Sequence, residues 1–340
     1  MNIIITGGAG FLGARLASAL LSRGELSLAG AAPQRINSIT LVDRAEAPAY
    51  LTQDSRINSL VGDLNQLLDV TLPSNAVASS IWVQADVVYH LAAAVSGECE
   101  ADFDLGMRSN VDATRALLQL CRSLNTQPTV VFASSLAVFG NSPAQPLPSV
   151  IDDRTLPTPQ NSYGIQKFIG EQLVADYGRK GYIRARNVRL MTVSVRPGRP
   201  NGAASGFLSG MIREPLAGVR AACPVSANTP VALASPSRTI EGLVCAVQAS
   251  DADWGARTAV NFPALTVTVG AMAAALEKLA GKAATDLIDW VPDAKIANIV
   301  TSWPSVIDAA RARALGLLPD PDFESIVAAY IQESMSENPR

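Results

Sequence analysis

Asn2-Ile3-Ile4-Ile5-Thr6-Gly7-Gly8-Ala9-Gly10-Phe11-Leu12-Gly13 opens the chain with an apolar run that ends in a cluster of glycines. Ile3 to Ile5 suit a short buried strand. Behind the glycines Leu12, Leu16, Ala19 and Leu20 recur at helical spacing, Arg15, Ser18, Ser22 and Arg23 take the other face, and Gly24 stops the run. The stretch predicts strand, tight turn and helix. Glycines at 7, 10 and 13 permit the turn, the close approach of a pyrophosphate to backbone N–H groups, and tight packing of helix on strand. A dinucleotide site is the expected use of such a turn in this place.

Working outward, the strand pattern repeats. Ile39 to Asp43 predicts a second strand ending in an acid. A carboxylate there accepts hydrogen bonds from the adenosine ribose hydroxyls and repels a 2′-phosphate, so Asp43 points to NAD over NADP, although the adjacent Arg44 is able to serve a phosphate. Gly30-Ala31-Ala32-Pro33 marks a surface excursion before this strand. Ile57 to Val61 predicts a third strand, followed by Gly62-Asp63-Leu64, where Asp63 is placed to meet an adenine amino group. Val87 to Ala93 predicts a fourth, whose small end Leu91-Ala92-Ala93 leaves room for a cofactor, and His90 on it reads as a packed side chain. Ser96-Gly97-Glu98 is expected on a loop facing the reacting centre.

Leu105 to Leu124 reads as a helix with Met107, Val111, Leu118 and Cys121 on one face. Asn110 interrupts that face as a buried amide suited to holding a water or bracing the neighbouring backbone. Thr129 to Ala133 predicts a fifth strand ending in Ser134-Ser135. Asn141 to Asn161 reads as a long loop over a substrate mouth, and Asn187 to Val195 as a sixth strand broken at Arg196-Pro197-Gly198-Arg199-Pro200-Asn201. Further on, Arg238–Ala249 predicts a helix, Ala259–Phe262 a strand returning to the sheet, and Thr268–Ala280, Ser305–Leu315 and Phe323–Ser334 amphipathic helices. The fold class is α/β, a Rossmann-type doubly wound parallel sheet with a smaller discontinuous C-terminal substrate domain. The expected division gives residues 1–196 plus 235–263 to the cofactor and 197–234 plus 264–334 to the substrate.

The stretch able to do chemistry is Tyr163-Gly164-Ile165-Gln166-Lys167. Residues four apart share a helix face, so the tyrosine and lysine point their polar ends into one space. A free tyrosine, with a pKa of about 10, is a poor base at neutral pH. A lysine ammonium nearby, helped by the positive nicotinamide ring of an oxidised cofactor, favours the phenolate, which can then take a proton from an alcohol.

Composition narrows the field. The chain has 340 residues, 17% charged and 5% aromatic, with a net charge of −3. That leaves no basic footprint for nucleic acid and no lysine-rich face for anionic membranes. No signal-type start and no apolar run of membrane length is present, so a cytoplasmic location is expected. Cys99, Cys121, Cys223 and Cys245 lack metal-type spacing and read as reduced structural thiols, with no metal site. His90 is the one histidine, and its strand position argues against a Ser-His-Asp hydrolase.

With these motifs in order, the chain resembles the extended short-chain dehydrogenase/reductase superfamily over nearly its whole length. TGGAGFLG (6–13) is similar to its cofactor turn, GDL (62–64) to its adenine contact and HLAA (90–93) to its nicotinamide-side strand end. SSLAVFG (134–140) resembles its serine segment, with the catalytic serine falling on Ser135, and YGIQK (163–167) its tyrosine and lysine. Asn110-Val111-Asp112-Ala113-Thr114 resembles its asparagine motif, with Ala113 where glycine is commoner. The resemblance implies NAD bound through Gly7, Gly10, Phe11, Leu12, Gly13, Asp43, Asp63, Leu64, Leu91, Ala92, Ala93, Tyr163 and Lys167. Catalysis would fall to Ser135, Tyr163 and Lys167, with Asn110 supporting a water path.

Within the superfamily, sugar-nucleotide epimerases usually carry an asparagine where this chain has Thr192, which removes a diphosphate contact. Residues 92–110, 194–207 and 211–218 instead resemble the D-erythronate dehydrogenase group, which implies oxidation of a small sugar acid. Ser96, Gly97, Glu98, Ser135, Thr192, Arg196 and Arg238 are then substrate candidates, and Arg196, Arg238 or Arg108 would meet the carboxylate. Two alternatives are a nucleoside-diphosphate-sugar 4-epimerase with tightly held NAD and a non-catalytic dinucleotide sensor. By the same resemblance, the helices at Leu105–Leu124 and Asn161–Tyr177 imply a homodimer.

Overall fold

The computed structural model describes residues 1–69, 81–124, 126–198 and 202–337. They form two compact units. Met1–Ser135, Ser162–Arg189 and Ile240–Val260 make the first; Leu136–Asn161, Leu190–Thr239 and Asn261–Arg340 make the second.

The first unit is built on a seven-stranded sheet. Its strands are β1 (Asn2–Thr6), β2 (Ser38–Asp43), β3 (Ile57–Val61), β4 (Val87–His90), β5 (Thr129–Ser135), β6 (Arg184–Leu190) and β7 (Val260–Asn261). The spatial order is β7-β6-β5-β4-β1-β2-β3. β1 pairs parallel with β2 and β4, as do β2 with β3 and β4 with β5. The order reverses between β1 and β4, which is where open α/β sheets place their ligands. Ile3, Ile4 and Ile5 are buried, as a central strand covered on both faces requires. Ile4, Val42, Trp82, Val88, Leu117, Leu118, Phe132 and Val174 share one core. Helix α1 (Phe11–Arg23) ends at Gly24, whose left-handed backbone (φ 70°) carries the C-cap. The excursion before β2 is exposed at Gly30 to Arg35 and contains a two-residue hairpin, Glu25–Leu26 against Gln34–Arg35.

Three expectations for this unit are corrected. Ser96-Gly97-Glu98 is not a loop but the first turn of α2 (Ser96–Ala101), because Glu98 Oε2 accepts from the Val95 N–H at 3.0 Å and nucleates the helix. β4 ends at His90 rather than running to Ala93. The predicted helix around Asn110 changes pitch: Phe103–Gly106 is α-helical, Met107–Asp112 is a π-turn, and α3 (Ala113–Ser123) resumes the α-helix. The wider turn rotates the buried face, so Asn110 is fully buried while Met107 and Val111 are only half-buried.

The second unit contains a three-stranded sheet in which Pro230–Ala234 pairs parallel with Thr192–Val193 and antiparallel with Leu265–Thr268. Leu208, Met211, Ile212, Leu233, Val269, Met272 and Phe323 form its core. The predicted sixth strand is thus two strands. β6 stops at Leu190, and Thr192–Val193 joins the other sheet, with Ser194 N–H bonded to Ala234 O at 3.1 Å. Of the helix expected over Ser305–Leu315 only Ala310–Ala314 forms, because Ile307 is drawn into a bridge with Ile151. The same bridge ties down the loop of residues 141–161, assisted by Asn141 N–H on Ser302 O and Arg311 N–H on Asp153. The break expected at Arg199-Pro200-Asn201 lies outside the described residues. Helices at Phe207–Leu216 and Ala294–Ser302 were not foreseen; the first carries Pro215 in its last turn.

Candidate active site

The glycine turn is closed on itself. Gly7 and Gly8 N–H groups both reach Val42 O, at 2.8 and 3.3 Å. Gly7 has φ +71°, and a Cβ on it would lie 2.8 Å from Ala92 N; a Cβ on Gly13 would lie 2.2 Å from Gly7 O. Gly10 caps α1 without a side chain, which leaves the helix's first N–H groups to a ligand. Asp43 at the end of β2 accepts from Ala9 N–H at 3.0 Å and from Ala45 N–H at 3.2 Å, so its carboxylate stands against the turn. Asp63 caps the short helix Leu64–Leu67, accepting from Asn65 N–H at 3.0 Å. A turn with no space for side chains, an uncapped helix start and an acid at the β2 end together fit a dinucleotide.

Beside the turn, His90 is buried between two hydroxyls, with Thr6 Oγ1 2.7 Å from Nδ1 and Thr114 Oγ1 2.9 Å from Nε2. Thr114 donates its proton to Asn110 O at 2.7 Å. It must therefore accept from Nε2, and Nδ1 accepts from Thr6, which in turn accepts from Ala92 N–H at 3.3 Å. Burial, assisted by the Lys167 charge, lowers the ring's pKa to about 3. His90 is a neutral, hydrogen-bonded side chain, as its strand position led us to expect.

Helix α4 (Ser162–Arg179) carries Tyr163 and Lys167. It approaches β5 so closely that a Cβ on Gly170 would lie 2.4 Å from the Phe132 ring. That approach lets Lys167 Nζ donate to Ala133 O at 2.7 Å, two residues before Ser135 at the strand's end. The same nitrogen is 5.0 Å from the Phe132 ring centroid and 5.7 Å from that of Tyr163. Tyr163 is half-buried and Lys167 buried. Burial pushes the Lys167 pKa down to about 8, opposed by Cys99 and Glu171. The Cys99 thiol is itself pushed up to about 11 by burial and is uncharged where Lys167 titrates, so Glu171 is the anion that supports the cation.

Asn110 is held on every side. Oδ1 accepts from Ala94 N–H at 2.8 Å, and Nδ2 reaches Ala94 O at 3.1 Å, Cys99 Sγ at 3.3 Å and Gln166 Oε1 at 2.8 Å. Of the two uses the sequence allowed, these bonds make the backbone brace. They tie the π-turn to the strand end after β4 and to α4.

Sequence reasoning missed three contributors. Glu100 Oε1 accepts from Ser162 N–H at 2.6 Å and caps the helix start next to Tyr163. Gln166 is buried against Gly106 and receives Asn110. Glu171, one turn beyond Lys167, is buried with Arg189 and Ser134. The i+4 spacing of Glu171 from Lys167 was the available signal. Arg108 is exposed, and its carbonyl accepts from Asn65 Nδ2.

The remaining substrate candidates belong to the second unit. Thr192 is half-buried on its strand. Arg196 has its N–H on Ser209 Oγ at 3.0 Å and its carbonyl on Arg213 Nη1 at 2.7 Å, so α-helical residues four apart clamp its backbone. Arg238 lies in the first turn of Pro236–Gln248, its N–H on Ser235 Oγ at 3.1 Å.

A doubly wound sheet, a closed glycine turn and a buried lysine beside a tyrosine define a nicotinamide-dependent enzyme of the short-chain type. Residues 3–229 match the NAD dependent epimerase/dehydratase family. A D-erythronate dehydrogenase from Cupriavidus necator is 47% identical over 334 residues, covering 98% of this chain and 99% of that one. Another, from Haemophilus influenzae, is 38% identical over 335 residues, covering 98% and 100%. Among solved structures, the nucleoside-diphosphate-sugar epimerase from Agrobacterium tumefaciens superposes with a TM-score of 0.86 at 36% identity, covering 100% of this chain and 96% of that one. The chain belongs to the NAD dependent epimerase/dehydratase family, and its cofactor is NAD.

Proposed function

We propose that the chain is an NAD-dependent dehydrogenase that oxidises the 2-hydroxyl of a four-carbon sugar acid of the D-erythronate kind to the 2-oxo acid. The carrying observation is the Lys167 bond to Ala133, which fixes the Tyr163 helix to the strand ending in Ser135. The near-full-length similarity to two D-erythronate dehydrogenases supports the substrate class. Bound NAD supplies the hydride acceptor. Gly7, Gly10, Phe11, Leu12, Gly13, Asp43, Asp63, Leu64, Leu91 to Ala93, Tyr163 and Lys167 would hold it.

Tyr163 removes the hydroxyl proton, Lys167 favours its phenolate, and Ser135 donates to the substrate oxygen as carbonyl character develops. Asn110 holds the π-turn in place behind them. Arg196 and Arg238 are the cations proposed for the carboxylate, with Arg108 a third candidate; Thr192, Ser96, Gly97 and Glu98 complete the proposed substrate set. The first unit would carry the cofactor, and the second supplies Arg196 and Arg238.

Purified protein should reduce NAD in proportion to added D-erythronate in a screen of four- and five-carbon aldonic acids. No NADH from any acid, with interconversion of a sugar nucleotide by protein that retains NAD, would favour the epimerase reading, which the Agrobacterium likeness supports. A homodimer and a cytoplasmic location complete the proposal. Exposed Phe103, Ile165 and Ile169 support an apolar pairing face, which light scattering tests. Among the described residues no helix is long and apolar enough to cross a membrane.

A further inference from the structure

One turn beyond Lys167, a buried polar cluster takes no part in the proton transfer. Glu171 Oε1 accepts from Ser134 Oγ at 2.5 Å and from Arg189 Nε at 2.8 Å, while Oε2 accepts from Arg189 Nη2 at 2.7 Å. Asn187 Nδ2 reaches the Glu171 carbonyl at 3.0 Å. All four side chains are buried. Desolvation offsets most of the attraction in an enclosed ion pair, so a packed apolar pair would hold this interface about as well. What the polar set adds is direction. Helix α4 grips the end of β5 at two consecutive residues, Lys167 on Ala133 O and Glu171 on Ser134 Oγ, and the next residue is Ser135.

We propose that Ser134 and Glu171 are positioning residues, whose hydrogen bond sets the end of β5 against α4 so that Ser135 and Tyr163 meet the same substrate oxygen. Arg189 balances the charge that Glu171 brings there. This rests on the roles proposed for Ser135 and Tyr163. The titratable groups around Lys167 are Tyr163 and Glu171 on its own helix, Cys99 on α2, His90 on β4 and Arg189 on β6. His90 and Cys99 are neutral near pH 7, which leaves Glu171 as the anion acting on Lys167.

The test uses the full chain with Ser134→Ala, Ser134→Thr and Glu171→Gln. Ser134→Ala should lower kcat for D-erythronate oxidation about tenfold while NAD affinity stays within about twofold, and Ser134→Thr, which keeps the hydroxyl, should restore most of the loss. Glu171→Gln should move the Lys167 titration, followed by NMR of the isotopically labelled amine, to lower pH. Unchanged kcat in Ser134→Ala, or a loss matched by an equal loss of NAD affinity and thermal stability, overturns the positioning role. Should wild-type protein give no NADH with D-erythronate, the substrate reading fails by itself. The Lys167 titration needs no substrate and then decides: a midpoint unmoved in both Ser134→Ala and Glu171→Gln overturns the inference. If Glu171→Gln does not fold, the Ser134 pair decides alone.

Discussion

Lys167 Nζ donates a 2.7 Å hydrogen bond to the carbonyl oxygen of Ala133, which fastens the cation of α4 to the strand whose last residue is Ser135. A lysine so deeply buried keeps its charge only through such partners, and its lowered pKa of about 8 records the remaining cost.

That cost is measurable. Between about pH 8 and 10.5 the unfolded chain holds the lysine proton and the folded chain does not, so stability rises with pH through this window. The gain is about 1.4 kcal/mol per pH unit, on the order of 3 kcal/mol in all. Chemical denaturation across the window should show this rise in wild-type protein and its absence in Lys167→Met. Parallel curves would mean that the amine is not desolvated.

Tyr163→Phe removes the hydroxyl proposed to accept the proton and keeps the ring. The expected result is a fall in kcat of about 100-fold or more, read by NAD reduction, against a loss of NAD affinity of at most a few-fold, read by calorimetric titration of NAD. Near-normal turnover would remove Tyr163 from the mechanism.

Gly13→Ala places a methyl 2.2 Å from Gly7 O and 2.7 Å from the Gly8 Cα, both backbone atoms that cannot swing aside. The turn must open. Overpacking of this kind costs about 1–3 kcal/mol of stability, and NAD affinity should fall roughly tenfold or more. Retained affinity would show that the dinucleotide does not use this turn.

His90 runs the same way as Lys167, in a lower pH window. Its folded pKa of about 3 lies below the reference 6.5, so its stabilising contribution is complete above 6.5 and is lost as pH falls toward 3. His90→Gln cannot take up the proton, so its acid unfolding limb should be shallower than wild type by about 1.4 kcal/mol per pH unit. Coincident limbs would mean that the ring is already charged.

The glycine turn, the acid at the end of β2 and the Tyr163/Lys167 spacing were legible because each is a local pattern with one physical purpose. Ser96 to Glu98 misled because a lone Gly97 looks like a loop, while the bond from Val95 N–H to Glu98 that starts a helix there is visible only in three dimensions. The split after Leu190 was hidden because strand-forming Leu190, Met191, Thr192 and Val193 follow one another without a turn residue, and only the choice of partner sheet divides them. Arg189 and Glu171 lie 18 residues apart on different elements, so their pairing is a property of the packed unit rather than of any motif.

The hydrogen bonds through His90 all point the same way: Ala92 to Thr6, Thr6 to the ring, the ring to Thr114, and Thr114 to Asn110. Each group passes on the one proton it has, so the row admits a single ordering and no link can reverse alone. A proton added to the ring would set two donors face to face at Thr6, and relieving that clash means turning the hydroxyl that supports Ala92. The strand end proposed to border the nicotinamide and the π-turn that holds Asn110 would therefore loosen as one unit.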